Sequence, residues 1–269
     1  MQRGIGQKLI GAFLVGGAIA LFMQLIMMVV GIALPMKELV TPVSLVVLGF
    51  AGMVLVLCGA YDKIAAVGGF GAGVMFCGLV NAVAHVFMGG AMREGGNASG
   101  GMKAAGKFAV TMLASFVAVG ILLGVLLAHT PGVLTAMDHA KAARLDPGML
   151  VFLYAFIMGG LISVEGQAVL EFAHLPEPAV VLINAALGMA LSIFGVSTQL
   201  EVLTGGGLAA TIVDAGAGSV LGGAMIVLAG TPSRAIVLTL VMVLVLVMGI
   251  ICGNVLLGRA KAGQQQQRQ

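Results

Sequence analysis

The sequence predicts an all-α integral membrane protein. It reads as two homologous four-segment repeats, the third segment of each glycine-broken or re-entrant. Three observations lead there. Of 269 residues, 60% are hydrophobic and 9% charged, where a soluble domain carries about 25% charged residues. Eight apolar runs reach membrane-spanning length. Blocks of the first half return, in order, in the second. With a net charge of +3 and no basic stripe, the composition excludes a cytosolic enzyme, a nucleic-acid binder and a secreted disulfide scaffold. Cys58, Cys77 and Cys252 sit in apolar runs with no paired spacing and read as small buried hydrophobes. Trp is absent and Tyr occurs twice, so an aromatic belt is nearly missing.

A spanning helix needs about 20 apolar residues. The runs are Leu9–Met36, Leu39–Tyr61, Ile64–Met92, Phe108–Met137, Pro147–Leu170 (interrupted by Glu165), Pro178–Leu200, Val202–Ser233 (interrupted by Asp214) and Ala235–Gly258. Thr41-Pro42, Asp146-Pro147 and Thr231-Pro232 each place a capping oxygen beside a proline suited to a first helical turn. Residues 131–147 form the longest polar connection. Leu134, Met137, Lys141 and Leu145 share a face there, as in a short interfacial helix. The tail is polar and expected to be disordered. Arg3 and Lys8 before an apolar run mimic a signal peptide, but the same segment recurs inside the chain, so cleavage is not expected. The organisation expected is thus a first membrane repeat at 1–130, a connection at 131–147, a diverged second repeat at 148–258 and a tail at 259–269.

Ala12-Phe13-Leu14-Val15-Gly16-Gly17 returns as Ala155-Phe156-Ile157-Met158-Gly159-Gly160, an offset of 143 that carries Gln24 onto Gln167. Pro42 and Gly59 match Pro178 and Gly195 at offset 136. Gly78 to Ala82 match Thr211 to Ala215 at offset 133, setting Asn81 on Asp214. Four such blocks in order point to a duplication. Ile64–Met92 and Val202–Ala229 hold seven glycines each, and a glycine costs a helix interior about 1 kcal/mol relative to alanine. Their concentration in matching segments, notably Gly68, Gly69, Gly71 and Gly73 against Gly205, Gly206 and Gly207, points to a broken helix lining a cavity; close packing through small residues is the alternative. If all eight segments cross, the repeats are parallel and eight of the thirteen Lys and Arg lie inside; if the third and seventh are re-entrant, the repeats are inverted and nine do. Both counts favour cytoplasmic termini, and they do not separate the topologies; a bacterial inner membrane is the expected location.

The opening motif, with Gln24 after it, is followed by Gly59-Ala60-Tyr61-Asp62-Lys63-Ile64, then Gly68-Gly69-Phe70-Gly71-Ala72-Gly73 and Gly78-Leu79-Val80-Asn81. In these elements the chain resembles the stage V sporulation protein A membrane family of the SpoVAC/SpoVAEB type, over roughly residues 10–130, with 150–258 as a diverged second copy. Met75 stands where the family has proline, Leu79 where it has Phe, and Ser197-Thr198 and Asp214 where the second copy would have Tyr-Asp and Asn. The family is ordinarily a single unit of half this length, so the chain resembles a fused pair. The resemblance implies a channel or passive transporter subunit for dipicolinic acid, with calcium, in sporulation and germination, one branch being tension-gated. Its implied partners are a soluble cytosolic sporulation subunit and other membrane subunits.

An ionisable side chain at membrane depth costs about 2.5–3.5 kcal/mol or more and so faces a cavity or a partner. Asp214 and Glu165 are the carboxylates inside spans. Asn81 and Asp214 are expected to face one another across a solute pathway or, alternatively, to fix helices by hydrogen bonding. Gln24 and Gln167 serve as interhelical glue or pathway groups, His85 as a packed or pathway group one turn after Asn81, and Glu165 as a pathway group or one snorkelling to the interface. Deep Lys and Arg are absent, so an anion would rest on helix N-termini and glycine N–H groups, and a neutral calcium chelate would avoid repulsion by the carboxylates. No cofactor and no metal site are expected. A single intramembrane Asp, and His85, His129, His139 and His174 without cluster spacing, argue against an aspartyl protease or a zinc enzyme. The remaining alternatives are a non-conducting scaffold subunit and a channel for another small solute.

Overall fold

The computed structural model describes residues 4–142 and 148–266, with side chains left aside at 139–142. Asp146-Pro147, the Lys141/Leu145 face, Arg3, Arg144 and Arg268 lie outside what is described. Fourteen α-helices are described: α1 Ile5–Ala33, α2 Val40–Leu57, α3 Tyr61–Gly68, α4 Phe70–Gly73, α5 Phe76–Arg93, α6 Ala98–Met112, α7 Val119–Leu126, α8 Pro131–Ala142, α9 Leu150–Ala173, α10 Glu177–Ile193, α11 Ser197–Thr204, α12 Gly206–Ala209, α13 Ile212–Leu228 and α14 Ser233–Gln266. A π-helical turn at Leu113–Ala118 joins α6 to α7 in one 29-residue span. Five helices are long and apolar enough to cross a membrane: α1, α2 with its preceding 3-10 turn, α6–α7, α9 and α14. The 17-residue α10 is followed by α11 at a 104° bend. Apolar side chains such as Leu14, Val29, Ile32, Phe50, Val110 and Leu240 stay exposed on the outside, as a lipid-facing surface requires. The protein is an all-α, multi-pass membrane protein.

The third and seventh apolar runs are broken, each at a glycine. Gly69 (φ 49°, ψ −129°) separates α3 from α4, and Gly205 (φ 47°, ψ −117°) separates α11 from α12. Only glycine occupies this backbone region without strain. Met75 and Thr211 then run extended before α5 and α13, and these two residues pair as an antiparallel bridge. The Phe76 N–H donates to the Ala210 carbonyl at 3.0 Å and the Ile212 N–H to the Val74 carbonyl at 3.1 Å. The pairing satisfies backbone groups freed by the breaks, which lipid could not do.

Contacts fix the directions of the helices. Along α1 and α9, Lys8 meets Glu171, Phe13 covers Gly160, Gly16 meets Gly159, and Phe156 covers Gly17; the two helices run antiparallel. Along α2 and α14, Gly49 meets Val245, Met53 meets Cys252 and Leu57 meets Arg259; these run parallel. Helix α5 runs with α14, since Gly249 meets Val83 and Gly253 meets Phe87. Helix α5 therefore ends at the face where α3 begins, and α3–α5 is a re-entrant hairpin entering from the face that carries both ends of the described chain. Helix α13 runs with α7 (Gly120 against Ser219, Gly124 against Ala224), so α11–α13 enters from the opposite face. The elements α9–α14 thus repeat the succession of α1–α7, upside down.

Three expectations change. No side chain caps α2, whose N-cap position is Leu39, so Thr41 is not a cap. The 131–147 connection carries the helix α8 with Val133 and Ala136 fully buried, because Gly132 lets it close on the α10–α11 turn at Ile193 and Gly195. Helix α14 continues through Gln264, Gln265 and Gln266; glutamine is a good helix former, so the helix extends into the segment expected to be disordered.

Candidate functional site

A cavity of about 480 Å³ lies between α3–α6, α9 and α10, within the range of small-molecule sites. Tyr61, Phe70, Leu79, Phe108 and Val181 supply apolar walls, and Asn81, His85, Gln167 and Glu177 supply polar groups. Its mouth is at the face where α3 begins: His85 Nε2 lies 3.0 Å from Asp62 Oδ1, both side chains exposed. Its inner end is Ile212, one residue past the bridge.

The walls are held by hydrogen bonds from distant parts of the chain. Tyr61 Oη donates to the Ala72 carbonyl at 2.9 Å, tying α3 to α4. Gln167 Oε1 accepts from the Phe70 N–H at 2.8 Å, taking the place of an N-cap for α4. Its Nε2 donates to Glu171 Oε1 at 2.9 Å, and Glu171 binds Lys8 Nζ at 2.8 Å. A polar chain therefore runs from a surface lysine on α1 to the tip of the re-entrant hairpin. Opposite it, Gln24 Oε1 accepts from the Gly206 N–H at 2.7 Å. Each glutamine caps the broken helix of the other half. The cavity's fourth polar group, Glu177, lies against Gly73.

The structure brings Asn81, His85 and Gln167 to one cavity, with Gly69 and Gly73 in its wall. Gly68, Gly71, Gly206 and Gly207 are buried where Val15, Ala12, Gln24 and Ala155 approach. Gln24 is at the other broken helix, and Glu165 and Asp214 are not in the cavity lining. The expected facing of Asn81 and Asp214 is corrected. In the folded chain Gly69 corresponds to Gly205, Met75 to Thr211 and the start of α5 to the start of α13, all at offset 136. The offset of 133 therefore slid this block by about one helical turn, which preserves the face and so the apolar pattern. Asn81 lies towards one face from the bridge and Asp214, with Glu201 and Arg234 as its charged neighbours, towards the other.

Among the described residues, the seam between the halves is closed in this conformation. Val74, Met75, Phe76, Leu208, Ala210, Thr211 and Ile212 are all 0% exposed, because extended backbone pairs with extended backbone there and leaves no gap. Nor are the amides of Phe70 and Gly206 free to hold an anion; the two glutamines occupy them. Sequence reasoning missed Glu177 and the Lys8–Glu171 pair, and placed Tyr61 only in a polar turn between segments. The signal for the pair was Glu171 four residues after Gln167, one helical turn away.

These features define a polytopic helical membrane protein with a cavity open to one face. Residues 8–130 match the model of the SpoVAC/SpoVAEB sporulation membrane protein family, and over this stretch the chain is similar to that family. No curated protein and no solved structure matches the chain.

Proposed function

We propose that the protein is a transport subunit of the spore-forming cell's inner membrane that passes dipicolinic acid as its calcium chelate, with the cavity of Asn81, His85, Gln167 and Glu177 as the solute site. The observation that carries this is the cavity itself: small-molecule sized, open at one face, and ending at the seam where two re-entrant hairpins meet. Its polar lining is two amides, a histidine and a carboxylate. A bare dianion would be repelled by Glu177, whereas a neutral chelate presents calcium to the Glu177 carboxylate and its own carboxylate oxygens to Asn81 and His85. Passage requires the Met75–Thr211 seam to part, by tension or by a soluble subunit. We read the chain as a tandem pair of inverted units, on the recurrence of element order and of offset 136. We place both termini in the cytoplasm, where the inverted arrangement puts nine of thirteen Lys and Arg. We read the protein as a conduit and not as an enzyme.

The test is flux of dipicolinate, with and without calcium, through liposomes holding this chain alone. Calcium-dependent flux that falls at least tenfold in Asn81→Leu and Glu177→Leu is expected. Flux of another small solute instead replaces the substrate and keeps the conduit. No flux of any small solute, under tension or without it, leaves a scaffold subunit.

A further inference from the structure

Beneath the cavity, α9 and α10 meet at a pair of polar side chains that the transport reading does not use. Asn184, in the middle of α10, is 0% exposed. Its Nδ2 donates to the Val180 carbonyl at 3.1 Å, which fixes the orientation of the amide, and its Oδ1 is buried with no donor. Glu165 of α9 lies against this amide, and its Oε2 is likewise buried with no donor. Two neighbouring side chains, one on each helix, therefore each hold an orphaned acceptor. A buried polar atom left unpaired costs about 1–3 kcal/mol, and a carboxylate there costs more.

One hydrogen atom resolves both deficits. We propose that Glu165 and Asn184 form a proton-binding site, Glu165 Oε2 carrying the proton and donating it to Asn184 Oδ1. A metal cation fits the pair poorly, since calcium takes six to eight oxygen ligands and magnesium six, whereas a proton needs one donor and one acceptor. The charged side chains on the elements packed against α9 are Lys8 on α1, bound to Glu171; Glu177 at the start of α10; and Glu201 on α11, which shares its field with Asp214. None of them is a cation facing Glu165. The proton latches α9 to α10 at the inner end of the cavity. Its loss puts a charge into the interface and loosens the two helices that carry Gln167 and Val181 into the cavity wall.

Infrared difference spectroscopy of the reconstituted chain tests this without reference to any transported solute. A carboxylic-acid C=O band is expected at neutral pH. It should disappear reversibly at alkaline pH, be absent in Glu165→Gln, shift in Asn184→Leu and persist in Asp214→Asn. Glu165→Gln keeps the shape and donates its amide N–H to Asn184 Oδ1, so it should fold as the parent does. The thermal midpoint of the parent should fall as pH rises through the range in which the band is lost, and that of Glu165→Gln should stay flat. A band unaffected by Glu165→Gln, or carboxylate bands alone at neutral pH, would overturn the proposal, whether or not dipicolinate is passed.

Discussion

At the scale of single residues, the two glycines at the helix breaks are the most constrained positions. A side chain at Gly69 or Gly205 would need a backbone region reserved for glycine and would strike Gln167 or Gln24. Gly69→Ala and Gly205→Ala are each expected to cost about 1–3 kcal/mol, read as a lowered thermal midpoint in detergent. Gln167→Leu and Gln24→Leu leave an amide N–H without its partner, at about 1–3 kcal/mol each. Gln167→Leu should also free the α4 tip from the Lys8–Glu171 pair and so raise proteolysis or exchange around Phe70. Equal effects of Gly69→Ala and of Gly106→Ala, where a Cβ meets open space, would refute the account. The equivalence of Gln24 and Gln167 was readable because it rests on local sequence around two copies of one motif. Their partners were not, because each bond joins residues 97 or 182 positions apart and no periodicity encodes such a distance.

At the scale of elements, the repeated Ala-Phe-x-x-Gly-Gly block has a mechanical meaning. Helices α1 and α9 cross with Phe13 lying over Gly160 and Phe156 over Gly17, and the two rings meet edge to face at 5.6 Å. Each motif supplies the knob for the other's hole, so the motif has to occur twice. Gly160→Leu or Gly17→Leu should therefore overpack the crossing by roughly 1–3 kcal/mol, and the crossing's direction can be checked directly. A Lys8→Cys/Glu171→Cys pair should be joined by a short thiol-to-thiol cross-linker spanning the reach of the parent side chains, whose ends touch. A Lys8→Cys/Leu150→Cys pair should not, and joining of the second in place of the first would mean parallel helices. Direction was open in the sequence because a helix presents the same apolar stripe whichever way it points; only partner contacts distinguish the two.

For the molecule as a whole, the re-entrant hairpins enter from opposite faces and touch at one antiparallel bridge, so the cavity serves one face. A thiol at His85 should be labelled from the side of the N-terminus, and one at Thr135 of α8 from the other side. Labelling of both from one side would refute the inverted arrangement. Helix α8 covers the α10–α11 turn at the far face, while among the described residues nothing lies within 4 Å of a Cβ at Gly59 in the α2–α3 turn.

The sequence by itself determined the solvent. Its scarcity of charge and its run lengths require lipid, and glycines massed in two runs require broken helices, because both follow from local free energies of transfer and of backbone conformation. Tertiary structure alone decided the directions in which the helices pack against one another, which amides the glutamines take, and that Asn81 and Asp214 part company at the seam. Those outcomes depend on hydrogen bonds that lipid cannot supply, and in a membrane such bonds go to whichever segment the fold brings within reach, however distant in the chain.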